Sequence, residues 1–122
     1  MTTVYISGPM TGHPDYNRPA FHAMANKLRA GGYEVLNPAE VDLGERATWE
    51  DYLRKDLQML VTVQEVCMLP GWQSSQGALL EVAIARILGI PVVDYPGTGP
   101  HLIQSVTVQV NETERVIRKT WV

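Results

Sequence analysis

The chain predicts an α/β fold, a three-layer sandwich built on a parallel sheet of about five strands, Rossmann- or flavodoxin-like. Two observations carry that expectation. Short β-branched or apolar runs alternate with segments of helical period from one end of the 122 residues to the other. Glycine and proline breaks punctuate them at Gly8-Pro9, Gly31-Gly32, Asn37-Pro38, Pro70-Gly71 and Gly89. Short connections with right-handed crossovers then place helices on both faces of the sheet. The length suits one domain, residues 1–122, with a single core.

Each element has a local reason. Residues 3–7 (TVYIS) form a β-branched and aromatic strand that Gly8-Pro9 stops. After the loop GPMTGHPDYNRP, Pro19 in a first turn signals a helix, and Phe21, Met24, Ala25 and Leu28 share one face as far as Arg29 or Ala30. Residues 33–36 (YEVL) are the second strand. Thr48 is a good N-cap with Asp51 three positions on, and the helix that follows to Leu60 turns Trp49, Tyr52, Leu53, Leu57 and Leu60 inward. The third strand falls at 66–69, and a helix from Gln76 to Gly89 leads through Pro91 into the fourth, 91–95. Residues 96–100 (PGTGP) read as a loop. Val106, Val108 and Val110 alternate like a strand with one wet face, although 102, 103, 106 and 110 also fit a helix. Asn111 is expected to cap a last helix through Lys119, with Glu112 and Glu114 early and Arg118 and Lys119 late, as the helix dipole prefers.

Composition removes whole classes of function. A net charge of −3 lacks the basic face that a nucleic-acid polymer requires. No run approaches the roughly 18 apolar residues of a membrane span. The first ten residues, MTTVYISGPM, lack the charged and long apolar parts of a targeting segment. The one cysteine, Cys67, reads as a small core residue, so disulfides are not expected and a cytoplasmic setting is. His13, His22 and His101 show no ligand spacing with cysteine or acid, so no metal is expected.

Chemistry concentrates around Glu81. It lies in a helix otherwise made of Ala78, Leu79, Leu80, Val82, Ala83, Ile84 and Ala85, and Arg86 stands about 140° away around the axis. Such a helix is buried on most of its surface. A carboxylate in its first turns therefore faces the carboxyl end of the sheet, where α/β proteins bind ligands. The loops expected to meet there are 8–17, 71–76 and 96–101. Ser74, Ser75 and Gly77 sit at a helix N-terminus, as plain caps or as partners for an anion or sugar hydroxyl. The 8–12 loop (GPMTG) is neither GxGxxG nor a Walker loop. Trp72 is either a loop anchor or a face on which a base can stack. Tyr5 reads as a core phenol and Asp56 as an acid beside Lys55.

In combination, YISGPM at the start, KDL late in the helix of residues 49–60, and WQSSQGALLE resemble the nucleoside 2-deoxyribosyltransferase-like family. The likeness spans roughly 4–93. Its sharpest piece, Ser75-x-Gly77-x-x-x-Glu81, is similar to the 2′-deoxynucleoside 5′-monophosphate N-glycosidases, and the chain as a whole to small, often phage-encoded proteins of unassigned function. The resemblance implies that Glu81 is a nucleophile attacking C1′, that Asp56 assists the leaving base, and that Tyr5 orients the glutamate. It implies that Ser75, Gly77 and the first loop, with Ser7, Gly8, Pro9, Met10 and Asn17, hold the sugar and its 5′ substituent, and that Trp72 belongs to the substrate-binding set. A nucleoside or nucleotide substrate, no cofactor, and a homodimer whose second subunit brings His101 or the C-terminal helix to the site also follow from the likeness. Where nucleotide-hydrolysing relatives place a hydroxyl and an arginine for the phosphate, this chain has Pro9 and Thr11, with Arg18 the nearest basic residue. The transferases carry an acid shortly before the glutamate helix; this chain reads Gly-Trp-Gln-Ser-Ser there. The resemblance thus implies an N-glycosidase acting on a nucleoside or nucleoside 5′-monophosphate through a covalent glycosyl-Glu81, with 2-deoxyribosyl transfer by the same intermediate and a non-catalytic nucleotide-binding module as the competing expectations.

Overall fold

Strand β1 (Thr3–Ser7) lies inside a four-stranded parallel sheet with β2 (Glu34–Leu36), β3 (Glu65–Met68) and β4 (Val92–Val93), in the order β2-β1-β3-β4. The computed structural model describes residues 1–94 in backbone and side chain, and residues 106–112 and 115–121 as backbone. Tyr5 stands level with Leu36 on one side and Val66 on the other, and Ser7 with Met68. Helices α1 (Arg18–Ala30), α2 (Trp49–Leu60) and α3 (Gln76–Ile87) connect the strands. The sheet is short, yet β1 is buried from Val4 to Ser7, because both of its faces are covered.

The period-2 alternation of the strands sorts the core into two layers. Val4, Ile6, Val35, Cys67, Leu69 and Val93 pack with Phe21, Ala25 and Leu28 of α1. Tyr5, Val66, Met68 and Val92 pack on the opposite side with Leu60, Ala78, Val82, Ala83 and Ala85 of α2 and α3. Ser7 follows Tyr5 by two residues on β1, so it faces the second layer as well. Every helix begins near the carboxyl ends of the strands. Thr48 caps α2 through a complete capping box, with Asp51 N donating to Thr48 Oγ1 at 3.1 Å and Thr48 N to Asp51 Oδ2 at 2.9 Å.

The strand at the C-terminal side departs from expectation. The parallel sheet has four strands, not five. Residues Val106–Glu112 are a strand, β5, but it pairs antiparallel with β6 (Arg115–Trp121) in a separate two-stranded sheet. The helix expected after Asn111 is therefore corrected to strand. Its segment carries Val116, Ile117 and Thr120, whose branched side chains favour extended backbone. The charge order read as a dipole signal is worth only tenths of a kcal/mol, about 0.3–1 at best, and cross-strand pairing outweighs it. The 96–101 loop with His101 lies outside the described residues. Among those described, no helix is long and apolar enough to cross a membrane.

Candidate active site

Glu81 sits in the second turn of α3, only 5% exposed, directly over β1. Its carboxyl is held from the strand: the Tyr5 hydroxyl donates to Oε2, and Ser7 Oγ donates to Oε1 at 2.8 Å. Strand alternation presents both donors on one face, and the parallel crossover from β3 brings α3 above them. The start of α3 is fixed by Ser75, whose Oγ accepts from Ala78 N at 3.2 Å. Burial pushes the Glu81 carboxyl up to about 8, against the hydrogen bonds from Tyr5 and Ser7, which favour its ionised form. Burial, and after it the charge of Glu81, holds the Tyr5 phenol well above its ordinary value, so it stays a donor.

Asp56 approaches from α2. Burial pushes its carboxyl up to about 7, and its Oδ1 is buried without a hydrogen-bond partner. An orphan acceptor of this kind costs about 1–3 kcal/mol and is relieved by protonation or by a ligand that donates to it. Two carboxyl groups with unequal surroundings thus share one cleft. One is clamped by two hydroxyls; the other is unsatisfied.

The cleft encloses about 830 Å³, within the roughly 300–1,000 Å³ range of small-molecule sites. Glu81, Tyr5 and Asp56 line it at depth. Around them stand Gly8, Pro9, Met10, Ser75 and Gly77, so these eight expected residues meet in one place. Ser7, Asn17 and Trp72 do not line it. Ser7 acts through Glu81, as described. Asn17 Nδ2 donates to the Pro9 carbonyl at 2.9 Å and ties the first loop together. Trp72 is 6% exposed and belongs to the core layer with Tyr5, Ala78 and Val82, the loop-anchor alternative rather than a stacking face. Gly8 is required by close approach: a Cβ there would stand 2.7 Å from Leu69 Cβ.

Several lining residues were not anticipated. Trp49, expected inward, is 47% exposed and lines the cleft with Tyr52 and Leu53. These three precede Asp56 by seven, four and three positions, so helical period places all four on one face of α2. That signal was legible once Asp56 was assigned to the site. Its ring lies near α3, with Cζ2 3.8 Å from where a Cβ of Gly77 would be. Pro38, Ala39 and Val41, after β2, also reach the cleft and had no sequence signal. Among the described residues no three His, Cys, Asp or Glu side chains are grouped to hold a metal ion.

Fold and site together define a parallel α/β protein whose cleft, at the carboxyl ends of the strands, holds two carboxyl groups, Glu81 and Asp56. The chain belongs to DUF4406, a domain of unknown function, whose family model it matches over residues 2–94. Among solved structures, it is similar to a 2-deoxyribosyltransferase from the psychrotolerant bacterium Bacillus psychrosaccharolyticus, with a TM-score of 0.62 and 20% identity over 84% of this chain and 80% of that one. It is also similar to a conserved protein from Enterococcus faecalis V583, with a TM-score of 0.59 and 21% identity over 75% of this chain and 61% of that one. No curated protein matches the sequence.

Proposed function

We propose that this chain is an N-glycosidase that cleaves the base–sugar bond of a nucleoside or nucleoside 5′-monophosphate through a covalent glycosyl–Glu81 intermediate. The observation that carries the reading is the buried Glu81 carboxyl, clamped by Tyr5 and Ser7, with the unsatisfied Asp56 in the same cleft. Breaking an N-glycosidic bond develops positive charge at C1′, and a carboxylate beside it captures the cation. A nucleobase leaves poorly as an anion, so an acid must give it a proton.

The steps balance with these groups alone. A Glu81 oxygen bonds to C1′ as the C1′–N bond breaks; the bonding pair goes to the base nitrogen. The base receives the Asp56 proton. The resulting Asp56 carboxylate then takes a proton from water, whose oxygen attacks C1′ and releases Glu81. Tyr5 and Ser7 orient the nucleophile and stabilise its charge in the free enzyme. None of these steps requires a metal or an organic cofactor.

Transfer to a second base is the same chemistry with a base in place of water. The likeness to a 2-deoxyribosyltransferase favours it. The absence of an acid from residues 71–75 favours water. The deciding measurement is base release, followed by chromatography, from nucleosides and their 5′-monophosphates, with and without an acceptor base. Free base from wild type, lowered roughly 10⁴-fold or more in Glu81→Ala, is the expected result. A new nucleoside formed only with acceptor assigns transfer. Ligand binding without turnover, equal in both proteins, leaves a binding module and removes the enzyme reading.

A further inference from the structure

The two hydrogen bonds on Glu81 are not equivalent. Tyr5 holds Oε2 and lines the cleft, whereas Ser7 holds Oε1, is buried and does not line it. Oε2 is therefore the carboxyl oxygen on the ligand side, and Oε1 is turned towards the end of β1. A rigid frame places the Ser7 hydroxyl there. Ser7 stands level with Met68 in the parallel ladder, and Leu69 N donates to its carbonyl at 2.8 Å. A donor fixed in this way keeps its aim when the charge on its acceptor changes.

We propose that Ser7 is a positioning residue for the second half of the reaction, whose hydroxyl holds the non-reacting oxygen of Glu81 and speeds release of the sugar from the enzyme. The role rests on the covalent reading above and deepens it. When Oε2 bonds to C1′, Oε1 becomes the carbonyl oxygen of a glycosyl ester and stays within reach of Ser7 Oγ. Release then forms a bond from a water oxygen to C1′ and breaks C1′–Oε2. The bonding pair returns to Glu81, and the water proton goes to the Asp56 carboxylate. Negative charge reappears on the carboxylate and is shared with Oε1, so the Ser7 hydrogen bond is stronger in this transition state than in the neutral ester. In the first half the sense is reversed. There the same bond stabilises the free carboxylate, which loses charge as it attacks, so Ser7 gives that step no comparable help.

The test is single-turnover kinetics on the full chain, with the four 2′-deoxynucleosides and with 7-methyl-2′-deoxyguanosine. The cationic base of the methylated substrate leaves without a proton, so attack is fast even at about pH 9, where Glu81 and Asp56 are both ionised. Free base times the attack; loss of the covalent sugar, followed by intact-protein mass, times the release. In Ser7→Ala the ratio of attack rate to release rate should rise about 10- to 100-fold, the loss expected of one hydrogen bond to a charged group. Ser7→Cys keeps a side chain of similar size but offers only a weak donor, so its ratio should follow Ser7→Ala. A merely structural role would slow both steps together and leave the ratio where it was. Equal slowing in Ser7→Ala, or a wild-type ratio in Ser7→Cys, overturns the role while leaving the covalent reading in place. Base release without a covalent sugar in every protein removes the covalent intermediate, and the role with it. No base release by wild type from any of these substrates removes the glycosidase reading itself.

Discussion

The floor and the rim of the cleft are built on opposite terms. At the floor, Tyr5, Ser7 and Glu81 come from regular elements, are buried, and satisfy one another. At the rim, Asp15, Tyr16, Arg18 and Trp49 are exposed, and the loop that carries three of them runs through unfavourable backbone. The floor is held by the same strand pairing and packing that hold the fold. The rim is held by a few exchangeable contacts. Asp56 stands between the two, on a regular helix but with an acceptor left open. It follows that floor substitutions should change chemistry and stability together, and rim substitutions should change binding alone.

After Glu81 itself, the largest expected effect is at Asp56, where the two terms conflict. Asp56→Asn removes the proton donor, and base release should fall about 10²- to 10⁴-fold. The wild-type rate should be bell-shaped in pH, peaking between about 7 and 8, since Glu81 must be ionised and Asp56 protonated. Its alkaline limb should vanish in the variant. Stability should move the other way. The folded-state value is raised from 3.8 to about 7, so the native state binds the proton more tightly than the unfolded chain does. That contribution is present at acid pH and is lost as the pH rises through 7. An asparagine carries no such loss, so the variant should match wild type near pH 4 and exceed it by roughly 1–3 kcal/mol above pH 7. Thermal melts across pH read this directly. A variant less stable than wild type at pH 8 would place Asp56 with the satisfied floor.

The same contrast governs what the sequence made legible. Floor residues obey periodicities: Tyr5 and Ser7 are two apart on a strand, and Glu81 is the lone acid of an apolar helix. The parallel fold and the place of Glu81 at the carboxyl end of the sheet therefore followed from pattern, while the contact of Tyr5 with Glu81 followed only from the family likeness. Assigning roles to Glu81 and Asp56 needed the family likeness as well. The left-handed turn at residues 15–17 has no pattern, since its glycine-like backbone is imposed on Asp, Tyr and Asn. Trp49 was misplaced because an apolar residue at helical spacing reads as core, and only tertiary packing says which part of that face opens into a cleft. Residues 106–121 were misjudged in part for a related reason. Val106, Val108 and Val110 signalled a strand, but nothing local said that its partner would be 115–121 rather than the main sheet.

Gly8 tests the junction where floor becomes rim. A methyl group there would meet Leu69 Cβ at 2.7 Å, and a Cβ is too close to its own backbone to turn aside. Gly8→Ala should therefore separate the ends of β1 and β3, where Leu69 N donates to the Ser7 carbonyl at 2.8 Å. The expected cost is about 1–3 kcal/mol, read as a melting temperature lower by several degrees. Because that hydrogen bond involves Ser7, the clamp on Glu81 should loosen too, and activity should fall with stability. If Gly8→Ala lowers activity at unchanged melting temperature, the first loop is mechanically separate from the strand beneath it.

Trp49 should give the smallest change in stability and the clearest separation of the two regions. Its side chain is half exposed at the first position of α2, and the capping box that starts the helix uses Thr48 and Asp51, not the indole. Trp49→Ala leaves those bonds intact and opens space beside Gly77, so stability should fall by no more than about 1 kcal/mol. A cleft-facing indole offers a ligand ring a stacking surface, and losing one costs about 1–3 kcal/mol of binding. The dissociation constant should therefore rise roughly fivefold or more, with Trp49→Phe restoring part of the loss. Titration followed by melting and by calorimetry separates the two effects in one preparation. A fall in melting temperature as large as that of Gly8→Ala, with unchanged ligand affinity, would return Trp49 to the core. The indole would then be part of the packing between α2 and α3, and the cleft wall that α2 presents would rest on Tyr52, Leu53 and Asp56 alone.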